Sequence, residues 1–456
     1  MVAAKLDAYL LDSRDGGSWG RWLADRVEEV MKIGPYRHPA APIPLRPLYL
    51  PAAEVTHLAQ ITARFVRLLI RTCEARAGGV AELERLLRYE RPAESLLTES
   101  EWQNRFAADS VRPDIVISSG TPRFVEFNIN SAIAGPEQVA ALNRLYRRHL
   151  LGNAETAGLL PRAEVLEPLP PRSRAVAAAS AAFHGDPGPV AVMGWAEKGF
   201  GAEEYFADVL DDLNRAGLDA YFALPGQFAA HAGRLHSHRG PVGTVLRMFV
   251  TADAEEEGLD LSPVREALAA DRVLVLSPEA GSLFASKLAL AWLSTDADEQ
   301  RLSARDGEFV ARHLPWTREV RDSSVRWAGR SHDLLTLLRQ EQHRFVLKPS
   351  NRYGAAGVVM GRDVTPEEWE RALSHAERSK TYVAQEFCRP DPVELPVLYE
   401  ADATPTMLHG TAVFSPMLFG LRLGGMLARI VPDRDRSIVN AVSGGLMNSV
   451  WAAEES

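Results

Sequence analysis

The sequence predicts an α/β (α+β) fold with a helical N-terminal region, and three observations lead there. Apolar residues recur at three- and four-residue spacing before residue 105, and short β-rich runs separated by turn clusters occupy 111–130 and 343–387. Strand and helix patterns alternate between 189 and 285. At 456 residues the chain is long enough for about three folding units of ~150 residues each. With 46% hydrophobic and 24% charged residues it has a globular composition, which excludes disordered, collagen-like and coiled-coil chains.

Taken in order, Val55 to Leu69 and Ala81 to Leu87 read as amphipathic helices, and the Pro-rich stretch from Pro35 to Pro51 as a connector that no helix crosses intact. The region carries no catalytic signature and is expected to scaffold. The runs IVIS and FVEFNI, separated by Ser118-Ser119-Gly120-Thr121-Pro122, predict a β-hairpin, followed by a helix from Pro136 to about His149. Strands are expected at Pro189–Met193, Leu218–Ala223, Thr244–Val250 and Arg272–Leu276, with a helix at Glu203–Arg215, giving an open α/β layer. A helix from Ser282 to Trp292 and another from Asp333 to Gln340 lead into the block His343–Phe387. No internal repeat is present.

The net charge of −9 supplies no global field for nucleic acid or anionic lipid. Cys73 and Cys388 are too few for a disulfide framework or a Cys-built zinc site. Asp7 and Asp12 interrupt any signal-peptide core, and no apolar run reaches membrane-span length. A cytoplasmic protein with no nucleic-acid or membrane partner is expected. Only six of the 51 cationic residues are lysine, so a lysine inside an apolar segment calls for a chemical reason.

Lys348 is one such residue. In FVLKPSNRYGAAGVVMG a strand delivers it ahead of a loop holding Gly354 and Gly357, a combination that suits a phosphate clamp. By itself, a Gly-containing hairpin with a chance lysine is commoner than a clamp. Downstream, TYVAQEF ends in Gln385 and Glu386, groups able to bond an adenine edge or simply to be solvated. In RPDIVISSGTPRFVEFNIN, Glu126 and Asn128 are two apart and so share a strand face. With Asp114 on the paired strand they form a set of oxygen donors that fits magnesium, and Arg112 shares the Asp114 face. A salt-bridged sheet face is the plainer reading of the same residues. Arg429, on an apolar strand, requires an anionic partner. Asn440 and the Ser443-Gly444-Gly445 turn are weaker candidates, and His231, His236 and His238 read as a polar loop.

Together, the clamp, the Gln-Glu strand end, R-x-D followed by E-F-N, and SPEAGSLFASK resemble the circularly permuted ATP-grasp ligases, the glutathionylspermidine synthetase-like group, over roughly residues 110 to 448. The order carries the resemblance, because the acidic and Asn residues precede the clamp. It implies that Asp114, Glu126 and Asn128 hold magnesium, and that Lys348 and Lys287 contact the ATP phosphates with Gly354 and Gly357. It also implies that Gln385, Glu386 and the Phe387 backbone form the adenine hinge, while Arg112 and Arg429 act on the transferring group. Ser286 stands where the family has Asn.

The implied activity is ADP-forming carboxylate–amine ligation through an acyl phosphate, with ATP and magnesium as cofactors and small-molecule acid and amine substrates. Amino-acid or peptide ligation is favoured over polyamine amide synthesis, since the chain lacks the extra amidase domain. A phosphotransferase or a nucleotide-binding module without ligase activity are the alternatives. The implied organisation is a helical region at 1–105, a first part of the core at 106–185, an α/β layer at 186–285, a clamp and lid at 286–390, and closing strands at 391–456.

Overall fold

Long antiparallel strands near the C-terminus build the centre of the molecule. The computed structural model describes residues 3–12, 16–31, 41–129, 135–185, 188–195, 202–352, 354, 356–399, 404–431 and 445–454. Thr406–Phe419 pairs along one edge with Arg422–Val431. Its other edge is shared end to end by Pro392–Leu398 and Ser110–Ser118. That sharing curls the sheet, which has nine strands among the described residues and continues through Leu446–Ala453 to a parallel edge strand, Leu48–Pro51. From Gly410 to Phe419 every residue is buried, which is why this strand reads as a continuous apolar run rather than an alternating one.

The predicted hairpin forms from Ser110–Ser118 and Thr121–Asn128. Ser119 and Gly120 both have positive φ, 50° and 70°, as a tight two-residue turn between twisted strands requires. A bulge follows, because Asp114 faces Glu126 while Ile115 faces Phe124, leaving Val125 as the extra residue. Phe124 and Phe127 are three apart, and the bulge turns both to one face. There they stack at 5.2 Å and meet Phe65 of the helix Ala52–Glu74. Glu126 and Asn128 are left on the other face.

The α/β layer is a four-stranded parallel sheet in the order Leu274–Leu276, Thr244–Arg247, Val190–Met193, Ala220–Ala223, flanked by helices including Leu169–His184 and Ala202–Arg215. A second small sheet, the clamp sheet, orders Thr317–Glu319, Tyr382–Glu386, Phe345–Pro349 and Val359–Met360, all antiparallel. The helix Pro366–Ser379, with its Thr365/Glu368 capping box, buries Trp369 in the core beneath that sheet.

One expectation is extended and one corrected. Where it is described, the Pro-rich connector is crossed by no helix and adds two strands, Ile43–Pro44 and Leu48–Pro51, to the large sheet. Buried Arg46, between them, ties the first helix down by bonding Asp7 at 2.9 Å. The helix expected from Ser282 to Trp292 is two, Gly281–Phe284 and Lys287–Asp298, because the Ser286 hydroxyl caps the second by accepting from Leu288 N–H. Lys287 therefore sits at the first residue of a helix.

Candidate active site

The hairpin register sets Arg112 opposite Asn128 and Asp114 opposite Glu126, so all four side chains rise from one face. Val413 pairs with Arg429 on the neighbouring strands of the large sheet, bringing that arginine to Asp114. Arg429 Nη2 and Asp114 Oδ1 form an ion pair, and the Ser415 hydroxyl bonds both partners, at 3.2 Å to Asp114 Oδ1 and 3.4 Å to Arg429 Nη2. Burial works to raise the Asp114 carboxyl. The Arg429 and Arg112 charges and the two hydrogen bonds outweigh it and hold the group below the usual carboxylate range.

Lys287 Nζ reaches the same face, donating to Glu126 Oε1 at 2.8 Å and to the Arg352 carbonyl at 3.1 Å. Its own N–H donates to the Ser350 carbonyl, so Lys287 binds the start of the glycine loop to the hairpin. Lys348 Nζ donates to Gln385 Oε1 at 2.6 Å and to the Val125 carbonyl at 3.0 Å, an acceptor set at the bulge. Burial drives the Lys348 ammonium down to about 8. Glu126 and Asp114 push it back up, while Lys287 adds to the depression.

Gly354 and Gly357 have φ of 68° and 75°, and a Cβ at Gly357 would meet Pro349 Cγ at 2.9 Å. Gln385 is oriented by Nε2 donating to Thr317 Oγ1 at 3.1 Å. Glu386 pairs with Arg344 at 2.9 Å, and Arg362 lies over the Phe387 ring at 4.9 Å. The Phe387 N–H donates to the Arg344 carbonyl at 2.8 Å. That segment therefore offers an incoming group its carbonyl oxygens rather than this donor.

Every site residue named from the sequence is thus accounted for. Arg112, Asp114, Glu126, Asn128, Lys287, Lys348 and Arg429 come together, with Gln385 one bond away. Asn440, Ser443 and Gly444 lie outside the described residues. Burial raises the thiol of Cys388 to about 11, which keeps it protonated at neutral pH and does not poise it as a nucleophile. Ser415, the Val125 carbonyl and Thr317 were not anticipated. A lone serine within the apolar run VFSPMLF was the available signal for the first.

Arg112, Lys287, Lys348 and Arg429 are each buried to 9% exposure or less, against two carboxylates. Four buried cations beside two carboxylates form a surrounding whose charge a polyanion would balance. The Asp114 and Glu126 carboxylates and the Asn128 amide oxygen, whose Nδ2 is committed to the Arg112 carbonyl at 3.0 Å, are hard oxygen donors of the kind magnesium takes. Among the described residues no group of three or more His, Cys, Asp and Glu could hold a metal by itself, so phosphate and water oxygens would have to complete a shell. Among the same residues no helix is long and apolar enough to cross a membrane.

No protein-family model matches the chain, and no curated protein does. Among solved structures it is similar to a glutathione synthetase-like effector from Globodera pallida in its apo form, with a TM-score of 0.55 and 12% identity over 95% of this chain and 97% of that one. The likeness is one of fold. A candidate gamma-glutamylcysteine synthetase from Methylobacillus flagellatus KT overlaps more loosely, with a TM-score of 0.43 and 11% identity over 86% of this chain and 87% of that one.

Proposed function

We propose that the chain is an ADP-forming carboxylate–amine ligase of the circularly permuted ATP-grasp type, making an amide or peptide bond between small molecules. The observation that carries the reading is the meeting of Asp114, Glu126 and Asn128 with Lys287 and Lys348, residues far apart in sequence, at one positively charged face. The fold shared with a protein named glutathione synthetase-like supports it. In this reading residues 106–185 and 391–456 form the core, 186–285 the α/β layer, 286–390 the clamp and 1–105 a helical support.

ATP and magnesium, when bound, would supply the activation: the γ-phosphoryl group would pass to the carboxylate with ADP leaving, and an amine attacking the carbonyl carbon would expel phosphate to give the amide. Asp114, Glu126 and Asn128 would hold the metal, freeing Lys287 from Glu126 to meet phosphate oxygens. Lys348 would bind the phosphates from the clamp side, and their negative charge would favour its protonated form against the burial that disfavours it. Arg429, released from Asp114, and Arg112 would steady the negative charge that develops on phosphoryl and carbonyl oxygens. The segment from Ser350 to Ala356, of which Tyr353 and Ala355 lie outside the described residues, would serve as the lid, because water in the site would hydrolyse the activated acid.

The test is ADP release over pairs of amino acids, short peptides and amines. A ligase requires both members of a pair. Release with the acid alone and a stable phosphorylated product would indicate a phosphotransferase, and binding without any ADP would indicate a nucleotide-binding module.

A further inference from the structure

The clamp sheet is an insertion, entered through His313–Trp316 and left through Phe387–Asp391, and both passages fasten to the turn of the hairpin. At the exit, the Asp391 carboxylate accepts from Ser119 N–H and from Gly120 N–H, each at 2.8 Å, and Asp391 N–H donates to the Ile117 carbonyl at 2.6 Å. At the entrance, His313 Nδ1 lies 2.9 Å from the Pro122 carbonyl, and Arg123 Nη1 donates to the Ala311 carbonyl at 3.4 Å. Ile117 to Arg123 is thus held from both sides. The two N–H groups taken by Asp391 belong to residues with positive φ, whose amides the hairpin ladder does not use, and a carboxylate is the group that can accept from both.

Beyond the turn, Lys287 Nζ bridges Glu126 and the Arg352 carbonyl, and nearer the turn Lys348 Nζ reaches the Val125 carbonyl. Four residues of strand separate that contact from Thr121, about 13 Å at ~3.3 Å per residue. A shift of the turn therefore moves Glu126 relative to Lys348.

We propose that Asp391 is a positioning residue: by gripping both N–H groups of the hairpin turn it fixes the pivot on which the clamp sheet closes, and so sets the distance between Lys348 and the hairpin acids. Its importance to turnover rests on the ligase reading, whereas the pivot itself is a property of the protein without ligands.

Two measurements on full-length Asp391→Ala and Asp391→Asn test it. A misplacement of ~1 Å can cost about 10²-fold in rate, so Asp391→Ala is expected to lower kcat 10- to 100-fold while KM for ATP stays within about threefold. Asp391→Asn, which keeps one acceptor, should recover part of that loss. In ligand-free protein, hydrogen exchange at Val125–Asn128 and Val346–Lys348 should accelerate in Asp391→Ala and remain unchanged in the parallel strands between Val190 and Leu276. Wild-type kcat in Asp391→Ala, or a fall in kcat matched by an equal rise in KM for ATP, overturns the positioning role. Unchanged hairpin exchange overturns the pivot. Should wild-type protein release no ADP with any substrate pair, the ligase reading fails, and the exchange comparison alone decides for or against the pivot.

Discussion

Lys287 Nζ lies 2.8 Å from Glu126 Oε1, joining the first residue of a helix to a hairpin that precedes it by 161 positions. The contact marks where the loop-side and sheet-side halves of the site touch. Glu126→Ala removes both the oxygens proposed to bind metal and the partner of a buried ammonium. ADP release should fall by about 10²-fold or more, with Asn128→Ala close behind. Circular dichroism should report an intact fold in both, and near-normal turnover in either would remove the metal assignment.

Lys348 titrates in an accessible range. Its folded value of about 8 lies below the ~10.4 of an unfolded lysine, so between these values the unfolded chain holds a proton that the folded one has lost. Stability carried by this residue therefore rises with pH across that window. The melting temperature of Lys348→Met minus that of wild type should fall from pH 8 to pH 10 in scanning calorimetry. A difference independent of pH would contradict the burial that lowers the group. ATP binding near pH 8.5 should also take up a proton, read as a dependence of the binding enthalpy on the buffer.

Asp114 shows the opposite sign. Its folded value is depressed, so its contribution is complete above the unfolded ~3.9 and disappears as pH falls through the lower folded value. Asp114→Asn strands the buried Arg429 guanidinium, for which the cost of breaking a buried pair is about 3–5 kcal/mol. Urea unfolding at pH 7 should register that loss, and the gap from wild type should close only at strongly acidic pH.

Gly281 has no room for a methyl group. A Cβ there would come within 2.2 Å of the Ile129 carbonyl oxygen and 2.5 Å of that of Ala107, both backbone atoms that cannot swing aside. Gly281→Ala should destabilise the protein by about 1–3 kcal/mol in thermal melts. It should also weaken ATP binding, because the segment it displaces leads directly to Lys287.

Much of this was legible in the sequence. The hairpin and the parallel strands declare themselves through turn residues and through apolar runs bounded by breaks. The bulge was visible in principle, since Phe124 and Phe127 cannot share a face at a strict period of two. Its consequence, a carbonyl offered to Lys348, depends on a strand more than two hundred residues away. Ser286 looks like a helix interior until its hydroxyl caps the next turn. Leu48–Pro51 is a four-residue run that pairs, among the described residues, with Leu446–Ala453, about four hundred positions away, and local pattern carries no trace of such pairing. Ser415 and Asp391 acquire meaning only from what the fold brings beside them.

Calorimetric titration of the full-length protein with ATP, with and without magnesium, bears on whether the hairpin acids and the downstream lysines serve one triphosphate. The expected result is saturable binding that requires magnesium and weakens at least tenfold in both Glu126→Ala and Lys348→Ala. Absence of binding by the wild type, or binding undiminished in both variants, would contradict it.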